Sequence, residues 1–448
     1  MICLKQPAAT LLALVFLTVL LFVFTLPFKE KTYIFDWDQS NDYQSVAKIV
    51  LQKKPALIGP RVTGDTGFFL SPWHYYFLLP FFIITNGSLY MGFWASLFVQ
   101  LILLIVVFLL CKKWFGFFTA FFSALFFATP VSLLSWGFMY IPLLSLIFLN
   151  LCLKTFNRPQ FFPLLSLFFA FGCSTYAVFY ALGLPFLFLA IKLLKNGQLP
   201  PKKLFLSFVL LFVPFLPILI FDLRHDFLNI KNVINFSSNQ LSRQPSPWYF
   251  LIVFYRALEN SFLNKYILAG WSSLLAVFCL SLLAFGINVF GSRHRLFIFL
   301  WIFAPLLFLS FFHGTTSEYY YGTTIILLPI LLSRILTRKL FGKAFLIIFT
   351  LFVIFLRIKQ VTAVNTGGVT LADKITVVNK LNQLNTLYSL SYDLDAGYNA
   401  GFDTILSKMG KNFYADGSAQ LYTVTCRQSG PIGGTKIADI NNLSIYKR

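Results

Sequence analysis

Acid is scarce in this chain and unevenly spread. Of 448 residues only 15 are Asp or Glu, against 36 Lys and Arg, and charged residues of all kinds make up 11%. An ordinary soluble domain carries roughly 25% charged residues, so a water-exposed shell around a single core is excluded. Paired cysteine spacing is missing too. Cys3, Cys111, Cys152, Cys173, Cys279 and Cys426 fall singly, most of them in or beside apolar stretches, which predicts neither a disulfide framework nor a zinc site. The long apolar stretches themselves contain almost no ionisable side chain. Proton- and ion-coupled carriers place acids or bases near the bilayer midplane, so this absence argues against that class.

What the chain has in abundance is apolar length. It is 58% hydrophobic and contains 57 Phe, and many runs approach the roughly 20 residues that cross a bilayer. Inside lipid each segment must satisfy its own backbone, and uniformly apolar runs do so as helices, whereas barrel strands would alternate. The runs predict an all-α polytopic membrane protein with about eleven transmembrane helices, at roughly 8–28, 88–111, 116–130, 132–153, 160–174, 176–194, 204–221, 268–290, 296–312, 321–336 and 344–359. The first is too long for a signal-peptide core and reads as a retained anchor. The stretch 72–85 is short, interrupted by Pro80, and reads as a helix lying at the membrane surface.

Basic residues set the orientation. Lys112/Lys113, Lys154/Arg158, Lys192/Lys195/Lys202/Lys203, Arg293/Arg295 and Arg334/Arg338/Lys339/Lys343 alternate with connections that hold none. By the positive-inside rule these, and the N-terminus, are cytoplasmic. The acids provide a check that was not used to build this topology: all lie in 29–71, 222–267, at Glu318 or after 360, on the predicted outer side. The net charge of +21 then reflects anionic lipid headgroups rather than nucleic acid. Two domains are expected. Residues 1–359 form the multi-span part, with extracytoplasmic loops 29–87 and 222–267. Residues 360–448 form a small extracytoplasmic α/β domain with helices near Leu371–Leu384 and Ala400–Met409, and strands near Tyr388–Tyr392, Leu421–Cys426 and Leu443–Lys447.

Polar chemistry gathers in the outer loops. In Phe35-Asp36-Trp37-Asp38-Gln39-Ser40-Asn41-Asp42-Tyr43, Asp38 and Asp42 share a face if Gln39–Gln52 is helical. A carboxylate there suits a general base; the competing reading is Asp38 or Ser40 as an N-cap. Gly59-Pro60-Arg61-Val62-Thr63-Gly64-Asp65-Thr66-Gly67 reads as a tight turn, with Arg61 able to hold a phosphate and Asp65 beside it. Trp73-His74-Tyr75-Tyr76 suits a sugar or an aromatic belt. In Phe221-Asp222-Leu223-Arg224-His225-Asp226-Phe227, Arg224 either pairs with a neighbouring Asp or grips a carrier phosphate, with His225 alongside. Glu318 adds an acid before Tyr319, Tyr320 and Tyr321.

Together, Asp38-Gln39 with Asp42, Leu57-Ile58-Gly59-Pro60, Pro72-Trp73-His74-Tyr75-Tyr76-Phe77-Leu78 and the Phe221–Phe227 segment resemble the membrane glycosyltransferases of the C-type (GT-C) fold. The nearest group is that of the bacterial protein O-mannosyltransferases and aminoarabinose transferases. Gln39 stands where many members carry Glu, and His74 where Tyr is commoner. The resemblance implies a glycosyltransferase of the cell envelope that moves a hexose or pentose from a polyprenyl-phosphate carrier to a lipid, glycan or protein acceptor. It also implies inversion at the anomeric carbon and Asp38 as the base. No cofactor is expected; Asp36-Trp37-Asp38 resembles the metal-nucleotide DxD of soluble transferases, but three letters are weak support for a divalent metal. Two other readings remain open at this point: a transporter or flippase of lipid-linked glycans, and a membrane protein whose work lies in its exported tail.

Overall fold

The computed structural model describes residues 6–62, 67–130, 133, 135, 137–242, 249–259, 272–310, 317–338, 348, 350–352, 354–356, 358–359, 368–384, 386–394, 397–414, 419–426 and 434–448. Among these, 7 helices are long and apolar enough to cross a membrane: Pro7–Thr25, Met91–Phe115, Gly137–Asn157, Ala177–Lys195, Pro201–Arg224, Ser292–Ser310 and Tyr319–Thr337. The protein is therefore a multi-pass membrane protein. Shorter apolar helices span Trp73–Ile84, Phe117–Ala128 and Val277–Val289, and another runs Phe162–Thr175.

Eleven spans were expected, and the difference is one of length. At about 1.5 Å rise per residue, the 12 residues of Phe117–Ala128 and the 14 of Phe162–Thr175 fall short of the roughly 30 Å hydrocarbon layer on their own. In the expected span 344–359, residues 344–347, 349, 353 and 357 lie outside the described residues, and the described ones are helical. The helix expected at 72–85 is present, and Pro80 sits inside it rather than ending it. The loop 222–267 holds two helices that hydropathy did not reveal, Leu228–Ser242 and Tyr249–Glu259.

The 25-residue helix Met91–Phe115 packs beside Ile141–Asn157. Both end in lysines, Lys112/Lys113 and Lys154, where cations offset the C-terminal dipole.

The C-terminal residues build a four-stranded sheet of order β1-β2-β4-β3, from Tyr388–Asp393, Gln420–Cys426, Thr435–Ile440 and Leu443–Lys447. β1 and β2 are parallel, which requires a crossover; it carries the helix Phe402–Met409. β3 and β4 are antiparallel, joined through Asn441 at φ 48°, a left-handed turn conformation that Asn tolerates.

This unit is not a free tail. Leu371 N–H donates to Tyr33 O at 3.0 Å, and Ile34 bridges Thr370. Lys374, fully buried, donates to Phe35 O (2.8 Å), Ala400 O (2.6 Å) and the Asp36 carboxylate (2.9 Å). Thr404 meets Ser40 and Gln44, each at 2.6 Å. Gly401, at φ 84°, packs so closely that a Cβ would stand 2.6 Å from Phe35 O. Sheet and loop one are therefore locked together.

Candidate active site

Asp36 caps the helix Trp37–Gln52, and the Gln39 side chain folds back to accept the Asp36 N–H at 2.9 Å. Capping by Asp36 leaves Asp38 and Asp42 free of that task, one turn apart on the same helix, and their environments then diverge.

Asp42 is buried, and its Oδ2 lies 2.7 Å from His74 Nε2. His74, in the first turn of Trp73–Ile84, is also buried, and its Nδ1 lies 2.8 Å from the Tyr140 hydroxyl. Every polar atom is satisfied when Nε2–H donates to the carboxylate and Nδ1 accepts the Tyr140 O–H. Asp38, by contrast, stays open to solvent while protein walls it on several sides. That desolvation, followed by the nearby charge of Asp42, pushes its carboxyl up to about 6, with His74 opposing. The pair thus consists of one buried, fixed carboxylate and one accessible, weakly acidic one, an arrangement that separates acid–base roles.

Aromatic residues surround Asp38. Trp37 is 63% exposed beside it. Tyr176 and Tyr320 lie within electrostatic reach of Asp38, and the Tyr319 hydroxyl hydrogen-bonds with both tyrosines. Phe138 packs against Tyr176 and Tyr319, with ring centroids 5.8 and 4.9 Å away.

The two arginine loops meet each other. Residues 59–62 fold back on 68–70 through Gly59 N–H to Leu70 O (2.7 Å) and Val62 N–H to Phe68 O (2.8 Å). Only glycine fits at position 59, since a Cβ would collide with the Ser71 carbonyl. Arg61 donates from Nε to Gly67 O and lies over the Phe69 ring at 5.3 Å. Asn229 clamps Phe69 by both backbone groups, accepting its N–H at 2.6 Å and donating to its O at 3.3 Å. Asp222, buried, accepts the Asn229 N–H at 2.6 Å. Arg224 is exposed and, among the described residues, pairs with neither Asp222 nor Asp226; the salt-bridge reading of that segment is therefore not what the structure shows. Asp226 and Phe227, at φ 51° and 57°, are strained left-handed residues that turn the chain directly after it.

Of the remaining candidates, Tyr75 is buried in the first turn of Trp73–Ile84. Tyr76 donates to Ala56 O at 2.8 Å. His225 is exposed, stacks on Phe221 at 4.1 Å, and its Nδ1 lies 2.8 Å from Phe221 O. Asp65 lies outside the described residues, as does the side chain of Glu318. Among the described residues no three His, Cys, Asp or Glu side chains come together as metal ligands. Tyr140, Trp37, Tyr176 and Asn229 were not foreseen.

The sequence matches no family model and no curated protein. Its fold has solved counterparts. ArnT from Cupriavidus metallidurans, solved bound to undecaprenyl phosphate, matches with a TM-score of 0.61 at 12% identity, over 98% of this chain and 97% of that one. The apo state of ArnT gives 0.60 at 13% identity, over 99% and 98%. The oligosaccharyltransferase of Archaeoglobus fulgidus, solved in complex with Zn and sulfate, gives 0.52 at 13% identity, over 92% of this chain and 68% of that one. The chain shares its overall fold with these solved structures.

Proposed function

We propose that this protein is a glycosyltransferase that takes a sugar from a polyprenyl-phosphate carrier and passes it to a hydroxyl outside the cytoplasm. The observation that carries the reading is the contrast between Asp38, open and weakly acidic, and Asp42, buried against His74. The likeness in fold to a protein solved with undecaprenyl phosphate supports a carrier of that kind.

Asp38 takes the proton from the acceptor hydroxyl as its oxygen attacks the anomeric carbon. The bond from that carbon to the carrier phosphate breaks, polyprenyl phosphate leaves, and the configuration inverts. Asp42, held by His74, fixes the helix that presents Asp38 and keeps negative charge nearby, which weakens Asp38 as an acid. Arg61 and Arg224, in segments joined through Phe69 and Asn229, neutralise the leaving phosphate, and a planar guanidinium matches two phosphate oxygens. The exposed Trp37 and the tyrosines near Asp38 suit the flat faces of a sugar. The N-terminus lies in the cytoplasm, and residues 360–448 form an exported domain that holds the first outer loop.

The test uses purified protein, a radiolabelled polyprenyl-phosphate sugar and a membrane extract as acceptor source. Asp38→Asn keeps the side-chain shape and removes the base, for which roughly 100- to 10,000-fold loss of transfer is expected. Near-normal transfer by a folded Asp38→Asn protein would reject the assignment.

A further inference from the structure

The bundle end opposite Asp38 holds a cavity of about 430 Å³ that takes no part in the proposed transfer. The helix Ile141–Asn157 starts at Tyr140, in the site, and finishes here; its 17 residues set the two about 25 Å apart at 1.5 Å per residue. Lys113, Lys154 and Arg158 line the cavity, with Asn150, Asn157 and His294 between them.

These groups come from separate helix ends and are almost all donors. None of the three cations makes a salt bridge among the described residues. The sequence supplies no counter-charge nearby: no acid lies between Asp65 and Asp222, or between Glu259 and Glu318. Arg293 donates to Asn157 Oδ1 at 3.0 Å and to Phe156 O at 3.1 Å, which turns the Asn157 amide so that its N–H groups remain to donate. His294 packs edge-on to Phe156, and its buried Nδ1 has no hydrogen-bond partner among the described residues. Lys154 lies over the Phe161 ring at 3.6 Å, a contact that leaves its charge intact.

The positive-inside rule accounts for the sign of these residues and for the side of the membrane. It does not account for their convergence on one half-open hollow with two amides and an imidazole nitrogen that has no partner among the described residues. Three like charges held together repel one another, and an anion with several oxygens relieves that repulsion while accepting from all the donors at once. We propose that this cavity binds a phosphate group, carried by an anionic lipid headgroup or free in solution. Helix ends at headgroup depth, lined by unpaired basic residues, suit the first source.

The experiment uses the full-length protein in neutral detergent. Thermal stabilisation and native mass spectrometry are recorded against phosphatidylglycerol in mixed micelles and, separately, against inorganic pyrophosphate. Lys154→Gln/Arg158→Gln is expected to raise the half-saturating concentration at least about tenfold, the equivalent of one lost charge-assisted bond. Lys202→Gln/Lys203→Gln removes the same charge from the start of the helix Pro201–Phe212, outside the cavity, and is expected to change nothing. If the first double variant fails to fold, Lys113→Gln carries the same expectation. Response to phosphatidylglycerol alone assigns a lipid headgroup, and response to both probes assigns the phosphate group itself. No response to either probe, or equal loss in the two double variants, would overturn the proposal.

Discussion

Asp38 and Asp42 sit one turn apart on the same helix, in different environments. Asp42 is committed to His74, whereas Asp38 faces the open side with its carboxyl raised to about 6. Because the folded value lies above the ordinary carboxylate range, Asp38 opposes folding once it ionises, and that cost sets in as pH rises from about 4 to about 6. Transfer is therefore expected to climb with an apparent midpoint about 6 in a pH profile of kcat/KM, while Asp38→Asn melts no lower than the parent at pH 7. A flat profile between pH 5 and pH 8 would remove Asp38 from the role of base. Tyr140→Phe strips one partner from the buried imidazole of His74, at a cost of about 1–3 kcal/mol; an unchanged melting temperature in detergent would show that water serves as well. The residue pattern exposed Asp38, Asp42 and His74 because acids and a histidine stand out against so apolar a chain. It could not expose their relations, since His74 meets partners 32 and 66 residues away, and Tyr140 reads as one more residue of an apolar run.

At the scale of elements, the helix Trp37–Gln52 carries Asp38 and Asp42, and Lys374 pins its start. Lys374 occupies the buried stripe of its own helix, with Leu371, Val378 and Leu381. A lysine on an apolar face is a sign that the sequence displays openly, though not with which partner. Burial lowers its pKa while Asp36 opposes that shift. Lys374→Met leaves Asp36 and two carbonyls without their donor, and a loss of about 3 kcal/mol is expected, read as a lower melting temperature and faster proteolysis after Gly368. Resistance equal to the parent would mean that the sheet is held by other contacts. Three strands and both helices of this unit were legible from alternation and periodicity. β3 was not, because it lies half-exposed along its length and shows no apolar face, although the Asn-Asn turn beside it was a usable signal. The helices within residues 222–267 were hidden for a similar reason: Leu228–Ser242 mixes polar and apolar residues and resembles connecting chain.

For the whole molecule, hydropathy and charge were enough to read the architecture, because the bilayer permits so few solutions. The count of spans was less secure, since helices of 12 to 14 residues are long enough to register as apolar runs and too short to cross unaided. Orientation rests on the basic residues. Reporter fusions after Lys113, Lys203 and Arg448 are expected to read inside, inside and outside; an inward-facing tail would invert the proposal. The bond from Lys374 to Asp36 joins residues 338 apart in sequence. At roughly 5–20 residues per second of synthesis, the ribosome needs roughly 17 to 68 s after making Asp36 before it supplies the lysine that steadies it. The first loop therefore lacks this partner until residue 374 has been made. A chain interrupted before Lys374 would insert its helices without the contact that steadies Asp36, and, on the proposed function, would be expected to transfer no sugar.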